Sequence, residues 1–210
     1  MNLNDFSIRL KQRLTRSLPG DVAHAFLRAI PVGNSIPSFN HKLAPRPGGV
    51  LILLYEEGGV IKFPLIKRQE YLGAHSGQVS LPGGKAEAGE DSMQAALREG
   101  EEEIGVDRLN LNVLGTLSDF FVVPSNFLVT PVVATIVAEP VFTPDSYEVA
   151  KILHASLDDL MREDAVKEKE ILAAGKYRML APHFDIEGEV VWGATAMMLN
   201  EFRMILKEIM

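Results

Sequence analysis

Leu3, Phe6, Leu10 and Leu14 recur at three- and four-residue spacing, the mark of an amphipathic helix. Leu18-Pro19-Gly20 breaks it. Residues 22–30 read as a second short helix stopped by Pro31, and the prolines at 31, 37, 45 and 47 then mark a loop or wrapping segment. Beyond it the period changes. Residues 50–55 are a continuous apolar run, Glu56-Glu57-Gly58-Gly59 is a hairpin turn, and 60–66 is the return strand. Further strands are expected at 111–117, 130–137 and 149–153, and helices at 91–104 and 194–209. Strands interleaved with helices predict an α/β or α+β protein with helices on both faces of a mixed sheet. The expected organisation is a helical extension with its loop over residues 1–48, then one domain over 49–210.

Composition narrows the function classes. Of 210 residues, 47% are hydrophobic and 23% charged, enough apolar material for a packed core rather than disorder. The absence of cysteine excludes disulfides, thiolate zinc sites and a cysteine nucleophile. A formal net charge of -7 argues against binding a nucleic-acid backbone. No apolar run approaches the roughly 20 residues that span a bilayer, so no membrane partner is expected. Asp5, Arg9, Lys11, Arg13 and Arg16 interrupt the N-terminus, which does not read as a secretory signal, and a cytoplasmic location is expected. Met197, Met198, Met204 and Met210 suggest an adaptable apolar face, either core or dimer contact.

The chemistry concentrates in Leu81-Pro82-Gly83-Gly84-Lys85-Ala86-Glu87-Ala88-Gly89-Glu90 and the helix after it. Asp91 is the expected N-cap, with Gln94 as its capping-box partner, and Gly105 is the expected stop. Met93, Ala96, Leu97, Gly100 and Ile104 should face the core. Glu99, Glu102 and Glu103, at i, i+3 and i+4, should converge on another face. Such a cluster repels itself and opposes the helix dipole near the C-terminus, and a divalent cation relieves both. Hard oxygen ligands suit Mg²⁺ or Mn²⁺. The alternative is a solvated acidic face. Pro82-Gly83-Gly84 is either a plain turn or a backbone that approaches a ligand. Arg98 stands ready to orient a carboxylate. Gly100 costs about 1 kcal/mol against alanine in a helix, which makes sense if the helix packs closely on the sheet.

Gly84, Glu90 and the run Arg98-Glu99-Gly100-Glu101-Glu102-Glu103-Ile104-Gly105-Val106 together resemble the Nudix box, with Gly100 in place of the family's usual aliphatic residue. The resemblance implies an α/β/α sandwich with a mixed sheet, here with an N-terminal helical extension. It implies hydrolysis of a diphosphate linked to another group, Mg²⁺ or Mn²⁺ as cofactor, and a homodimer. Carried over by position, Glu99, Glu102, Glu103 and the Gly83 carbonyl are the implied metal ligands. Arg98 and Glu90 are the implied orienting members, while Glu101 points away into solvent. The family often draws a further acid from a loop outside the box; Glu148 is the candidate, with Asp119 and Asp145 as alternatives.

The stretch His75-x-Gly77-Gln78-Val79-x-x-Pro82-Gly83-Gly84, with Arg68 before it and Val191-Trp192-Gly193-Ala194-Thr195-Ala196 near the end, resembles the coenzyme A pyrophosphatase branch. That branch splits coenzyme A into 3′,5′-ADP and 4′-phosphopantetheine, so a coenzyme A-like nucleotide is the implied substrate. Lys67, Arg68, His75, Gln78, Gly84 and Lys85 are its candidate contacts. Ile66, Gln69, Gly73 and Leu81 depart from the branch, and Gly73 replaces an arginine that could meet a phosphate. ADP-ribose, a dinucleoside polyphosphate, a non-catalytic binding module and a purely structural acidic helix are the alternatives.

Overall fold

A computed structural model of the chain describes residues 2–33, 36–70 and 76–210. In chain order the elements begin with α1 (Leu3–Leu14), α2 (Asp21–Ala25), β1 (Ile30–Pro31), β2 (Arg46–Glu57) and β3 (Val60–Arg68). Then come β4 (Val79–Ser80), β5 (Gly83–Lys85), α3 (Ser92–Ile104), β6 (Asn112–Thr116), β7 (Phe120–Val122) and β8 (Phe127–Thr135). The chain closes with β9 (Val149–Ser156), α4 (Leu157–Met161), β10 (Val166–Ala173), β11 (Tyr177–Ile186), β12 (Glu189–Val191) and α5 (Gly193–Leu206).

The larger sheet is mixed. β2 runs parallel to β8, from Arg46↔Phe127 to Leu54↔Thr135. On its other edge β2 has two antiparallel partners in succession. Gly48, Gly49 and Val50 pair with β5, and Tyr55, Glu56 and Glu57 pair with β3 across the expected hairpin turn. β3 in turn carries β4 and β9, while β6 and β7 lie along β8. The edge of β2 thus divides, and the divided edge admits the glycine segment to the sheet.

Alternation along β2 decides the layers. Leu51, Leu53 and Tyr55 join Ile104 and Val106, so α3 covers that face. Ile52 and Leu54 point the other way, into a cluster with Phe6, Leu10, Phe184, Leu199 and Phe202, so α1 and α5 cover the opposite face. The α/β/α sandwich follows. Leu3, Phe6, Leu10 and Leu14 of α1 all belong to this second cluster. Phe6 and Leu10 are fully buried, which contributes about 1.5–3 kcal/mol for each side chain.

Several boundaries differ from the sequence reading. The helix expected at 22–30 ends at Ala25, and Ile30–Pro31 instead pairs with β11. The strand expected at 50–55 begins four residues earlier, because Arg46 to Gly49 already pair with β8. A second, antiparallel sheet of β1, β11, β10 and β12 had no counterpart in the pattern. β10 is mostly exposed and reads Val-Lys-Glu-Lys-Glu, a charged edge strand that keeps other strands from adding to it. Among the described residues no helix is long and apolar enough to cross a membrane.

Candidate active site

Helix α3 begins and ends where its sequence dictates. The Asp91 carboxylate accepts from Gln94 N–H at 2.8 Å, and the Gln94 side chain accepts from Asp91 N–H at 2.9 Å. Gly105 adopts φ 73° and donates to Glu101 C=O. Ala95, Ala96, Gly100 and Ile104 face the core, but Met93 does not; it lies on the exposed flank and Ala95 takes the buried place. The helix lies so close to β2 that a Cβ on Gly100 would stand 2.6 Å from Leu51 Cδ2. A Cβ on Gly49 would overlap the Ser92 carbonyl. Close packing thus sets the height of the acidic face above the sheet.

The glycine segment supplies the other wall. Leu51 N–H donates to Pro82 C=O and Ala86 N–H to Pro47 C=O, so the hydrogen-bonded pairs of this ladder alternate and Val50↔Gly83 is a non-bonded pair. Gly83 N–H and C=O therefore turn away from β2. The N–H donates to Glu103 Oε2 at 2.7 Å. At Gly84 an added Cβ would overlap the Glu99 carboxylate, so the glycine leaves room for that acid.

The three box glutamates do not converge as the helical spacing predicted. Among the described residues no three acidic or histidine side chains form a ready metal cluster. Different partners separate Glu103 from the other two. Glu103, 2% exposed, goes to Gly83 and stands 3.7 Å from Arg68. Glu99 and Glu102 both pair with Arg98 Nη1, at 3.0 and 2.8 Å. Arg98 also grips Glu90 with two nitrogens, Nε to Oε1 at 2.9 Å and Nη2 to Oε2 at 3.1 Å, and donates to Lys85 C=O. This is the bidentate orienting pair expected of Arg98, directed at Glu90. Glu101 is engaged by Arg108 at 3.3 Å rather than simply solvated.

Electrostatics separates these acids. Burial pushes the Glu103 carboxyl up to about 8; the Gly83 N–H and Arg68 oppose the shift, and Glu99 and Glu148 add to it. Glu99 is also raised by burial, against the hydrogen bond from Arg98. Glu90 is held low by Arg98 and by Glu87 N–H.

Glu148 reaches this site from the connection between β8 and β9. Arg68 lies between the two acids, with Nη2 3.7 Å from Glu148 Oε2 and Nη1 3.7 Å from Glu103 Oε1. Its Nε is buried without a hydrogen-bond partner among the described residues. Gln78 C=O accepts from Arg68 N–H, bracing β3 against β4. Lys67 is turned elsewhere and pairs with Glu189 at 2.8 Å. The Lys85 side chain is exposed, and its carbonyl is what meets the site. His75 lies outside the described residues. Of the alternative acids, Asp119 accepts from Thr130 Oγ1, and the Asp145 carboxylate accepts from Tyr147 N–H. The sequence reading missed Gln69, which donates to Glu148 C=O and Ser146 C=O; only its place beside Arg68 hinted at a role.

A buried imidazole–carboxylate pair elsewhere also escaped the sequence. His24, one of five scattered histidines, is 2% exposed and meets Glu201 at 3.0 Å.

Residues 45–175 match the NUDIX domain family. The chain is 36% identical over 168 residues to the chloroplastic Nudix hydrolase 22 of Arabidopsis thaliana, across 75% of this chain and 54% of that protein. It is 32% identical over 146 residues to Nudix hydrolase NudL of Pectobacterium atrosepticum, across 69% and 74%. The solved structure of a MutT/nudix family protein from Enterococcus faecalis superposes over 99% of this chain and 75% of that one, with TM-score 0.52 at 14% identity, a likeness of fold. The chain belongs to the Nudix family. It spans about half the length of the Arabidopsis relatives it matches, 54% and 56%.

Proposed function

We propose that the chain hydrolyses the diphosphate linkage of a nucleotide derivative, with coenzyme A or its thioesters as the substrate class. The observation that carries the reaction is Glu103. It is a buried carboxylate with one hydrogen bond, pushed up to about 8, beside the raised Glu99 and the approaching Glu148. An array of underneutralised hard oxygen donors fits a divalent cation, Mg²⁺ or Mn²⁺. Glu99, Glu102, Glu103 and the outward-facing Gly83 carbonyl would hold it. Such an ion supplies positive charge that neutralises a diphosphate and acidifies water.

The chain's own residues do the rest. Arg98 fixes Glu99 and Glu102 from one side, so that these flexible side chains are oriented before substrate arrives. Glu148, more than half exposed, accepts the proton from the attacking water at its carboxylate. Arg68, 3.7 Å from each of two acids, would meet a substrate phosphate. The missing side chain at Gly83 lets this wall lie against β2, and the one at Gly84 leaves room for the Glu99 carboxylate.

The coenzyme A reading rests on the sequence resemblance through residues 75–84 and 191–196. One observation favours the second reading, another nucleotide such as ADP-ribose or a dinucleoside polyphosphate: Lys67 is committed to Glu189. With Gly73 in place of an arginine, that leaves less positive charge for a 3′-phosphate. A panel of coenzyme A, acetyl-coenzyme A, ADP-ribose, NADH and a dinucleoside polyphosphate, with Mg²⁺ and with Mn²⁺, separates the two. Release of 3′,5′-ADP from coenzyme A is expected. Turnover of ADP-ribose alone would keep the reaction and overturn the substrate.

A further inference from the structure

We propose that Asp145 is a positioning residue that fixes the Glu148 carboxylate relative to the end of the acidic helix. This rests on the reading of Glu148 as the acceptor of the water proton. β8 ends at Thr135 and β9 begins at Val149, so a connection of thirteen residues carries Glu148. A loop that long without regular structure needs internal ties if it is to hold a side chain in place.

The ties meet at Asp145. Its backbone N–H donates to Glu103 C=O at 3.1 Å, and Thr143 N–H donates to Ile104 C=O at 2.9 Å. The loop thereby takes up carbonyls that the last turn of α3 leaves without helical partners. The Asp145 carbonyl accepts from Glu148 N–H at 3.2 Å and Val149 N–H at 2.8 Å. Its carboxylate accepts from Tyr147 N–H at 2.8 Å, an Asx-turn that sets the direction of the chain into Glu148. One residue therefore links the peptide of Glu103 to the peptide of Glu148.

Neighbouring contacts hold the link on both sides. Gly105 turns left-handed beneath Thr143, and a Cβ there would stand 2.8 Å from Thr143 Cβ and O. Phe142 packs edge-on against Tyr55, with ring centroids 5.3 Å apart. Gln69 N–H donates to Glu148 C=O at 3.0 Å from the β3 side. A substitution removes the Asp145 carboxylate without removing any of these backbone bonds.

The test compares Asp145→Ala, Asp145→Asn and Glu148→Gln, alone and combined, with three readouts: kcat and KM, Mn²⁺ binding measured without substrate, and hydrogen exchange at Thr143 and Asp145. Asp145→Ala is expected to lower kcat about 10–100-fold at unchanged KM, the scale of a roughly 1 Å displacement. Mn²⁺ binding should stay as in the parent chain, and the loop amides should exchange faster. Asparagine keeps the side-chain oxygen that accepts from Tyr147, so Asp145→Asn should restore kcat. In the Glu148→Gln background, Asp145→Ala should add no further loss. Gly105→Ala, which crowds Thr143 from the helix side, should give the same signature, and it keeps the test open if Asp145→Ala does not fold. Unchanged kcat in Asp145→Ala beside a dead Glu148→Gln would overturn the positioning role and leave the base assignment standing. Full activity in Glu148→Gln would overturn both. Equal losses in Asp145→Ala and Asp145→Asn, or a parallel loss of Mn²⁺ binding, would overturn the proposal in favour of a charge or folding role.

Discussion

Two glutamates, Glu103 on α3 and Glu201 on α5, are both buried, 2% and 0% exposed, and differ in almost everything else. Glu201 accepts from Ser118 Oγ at 2.6 Å and from Gly20 N–H at 3.0 Å, and meets His24 at 3.0 Å. Burial pushes its carboxyl up, but these hydrogen bonds outweigh burial and hold it below the ordinary range. Glu103 has one N–H donor at 2.7 Å and an arginine 3.7 Å away, and burial wins. A satisfied buried acid stabilises a fold; an underneutralised one is retained only where something else repays its cost. Glu201 pins α2 and the turn before it to α5, with Asn200 adding a hydrogen bond to Ala23 C=O. Glu103 waits beside two further acids and a glycine wall.

Exchanging each acid for its amide should expose the difference. Glu103→Gln is expected to lower turnover by roughly 10²–10³-fold, about 3–4 kcal/mol of transition-state stabilisation, with the fold intact. Steady-state kinetics beside a circular-dichroism melt checks both halves. Glu201→Gln should do the reverse. It weakens His24, Ser118 and Gly20 together, so unfolding in urea should show a loss of about 2–3 kcal/mol while kcat stays near the parent value. If Glu201→Gln proved as inactive as Glu103→Gln without loss of stability, the contrast between the two sites would fail.

pH separates the same two residues by sign. Glu103 is raised to about 8 from an ordinary 4.5, so the folded chain holds a proton there that the unfolded chain releases. Its contribution to stability is complete below pH 4.5 and is lost as pH rises towards 8, with a slope of up to ~1.4 kcal/mol per unit. Glu201 is lowered, so its contribution is present above the unfolded value and is lost as pH falls below it. With EDTA present, stability should therefore decline on the alkaline side, and Glu103→Gln should flatten that decline. Added Mg²⁺ should restore the loss at pH 8 in the parent chain, since a cation favours the ionised carboxylate. Urea titrations at pH 5 and pH 8 decide it; an alkaline decline that persists in Glu103→Gln would place its origin in another group.

What the sequence made legible follows from range. The α3 capping box, the Gly105 stop, the hairpin after Tyr55 and the apolar face of α1 are fixed by residues within a few positions of one another, and all stand where the spacing put them. The long-range pairings were not legible. His24 and Glu201 are separated by 177 residues, and Lys67 and Glu189 by 122, so neither pair leaves a periodic trace. β10 was missed because an exposed, charged strand has no alternation to read. The box acids themselves were readable by position, but their directions were not. A helical wheel places Glu99, Glu102 and Glu103 on one side; it does not show that Arg98 of the same helix gathers two of them, and it does not contain Gly83, which takes the third.

The smallest expected effect tests how independent the two ends of α3 are. The cap at Asp91 lies two turns before Glu99, on an exposed stretch, and its capping-box bonds close on Gln94. Asp91→Ala leaves the Gln94 N–H to water and should cost about 1 kcal/mol of stability. Asp91→Asn keeps an acceptor and should cost less. Neither should change kcat, because the acidic end of the helix is held by other means: the close approach of Gly100 to Leu51, and the carbonyls of Glu103 and Ile104 bound by the loop. Chemical denaturation read beside turnover is enough. If Asp91→Ala lowered kcat in proportion to its loss of stability, the carboxylates would depend on the whole helix staying wound, and the rigidity credited to glycine packing and to the loop at its C-terminal end would have to be given to the cap instead.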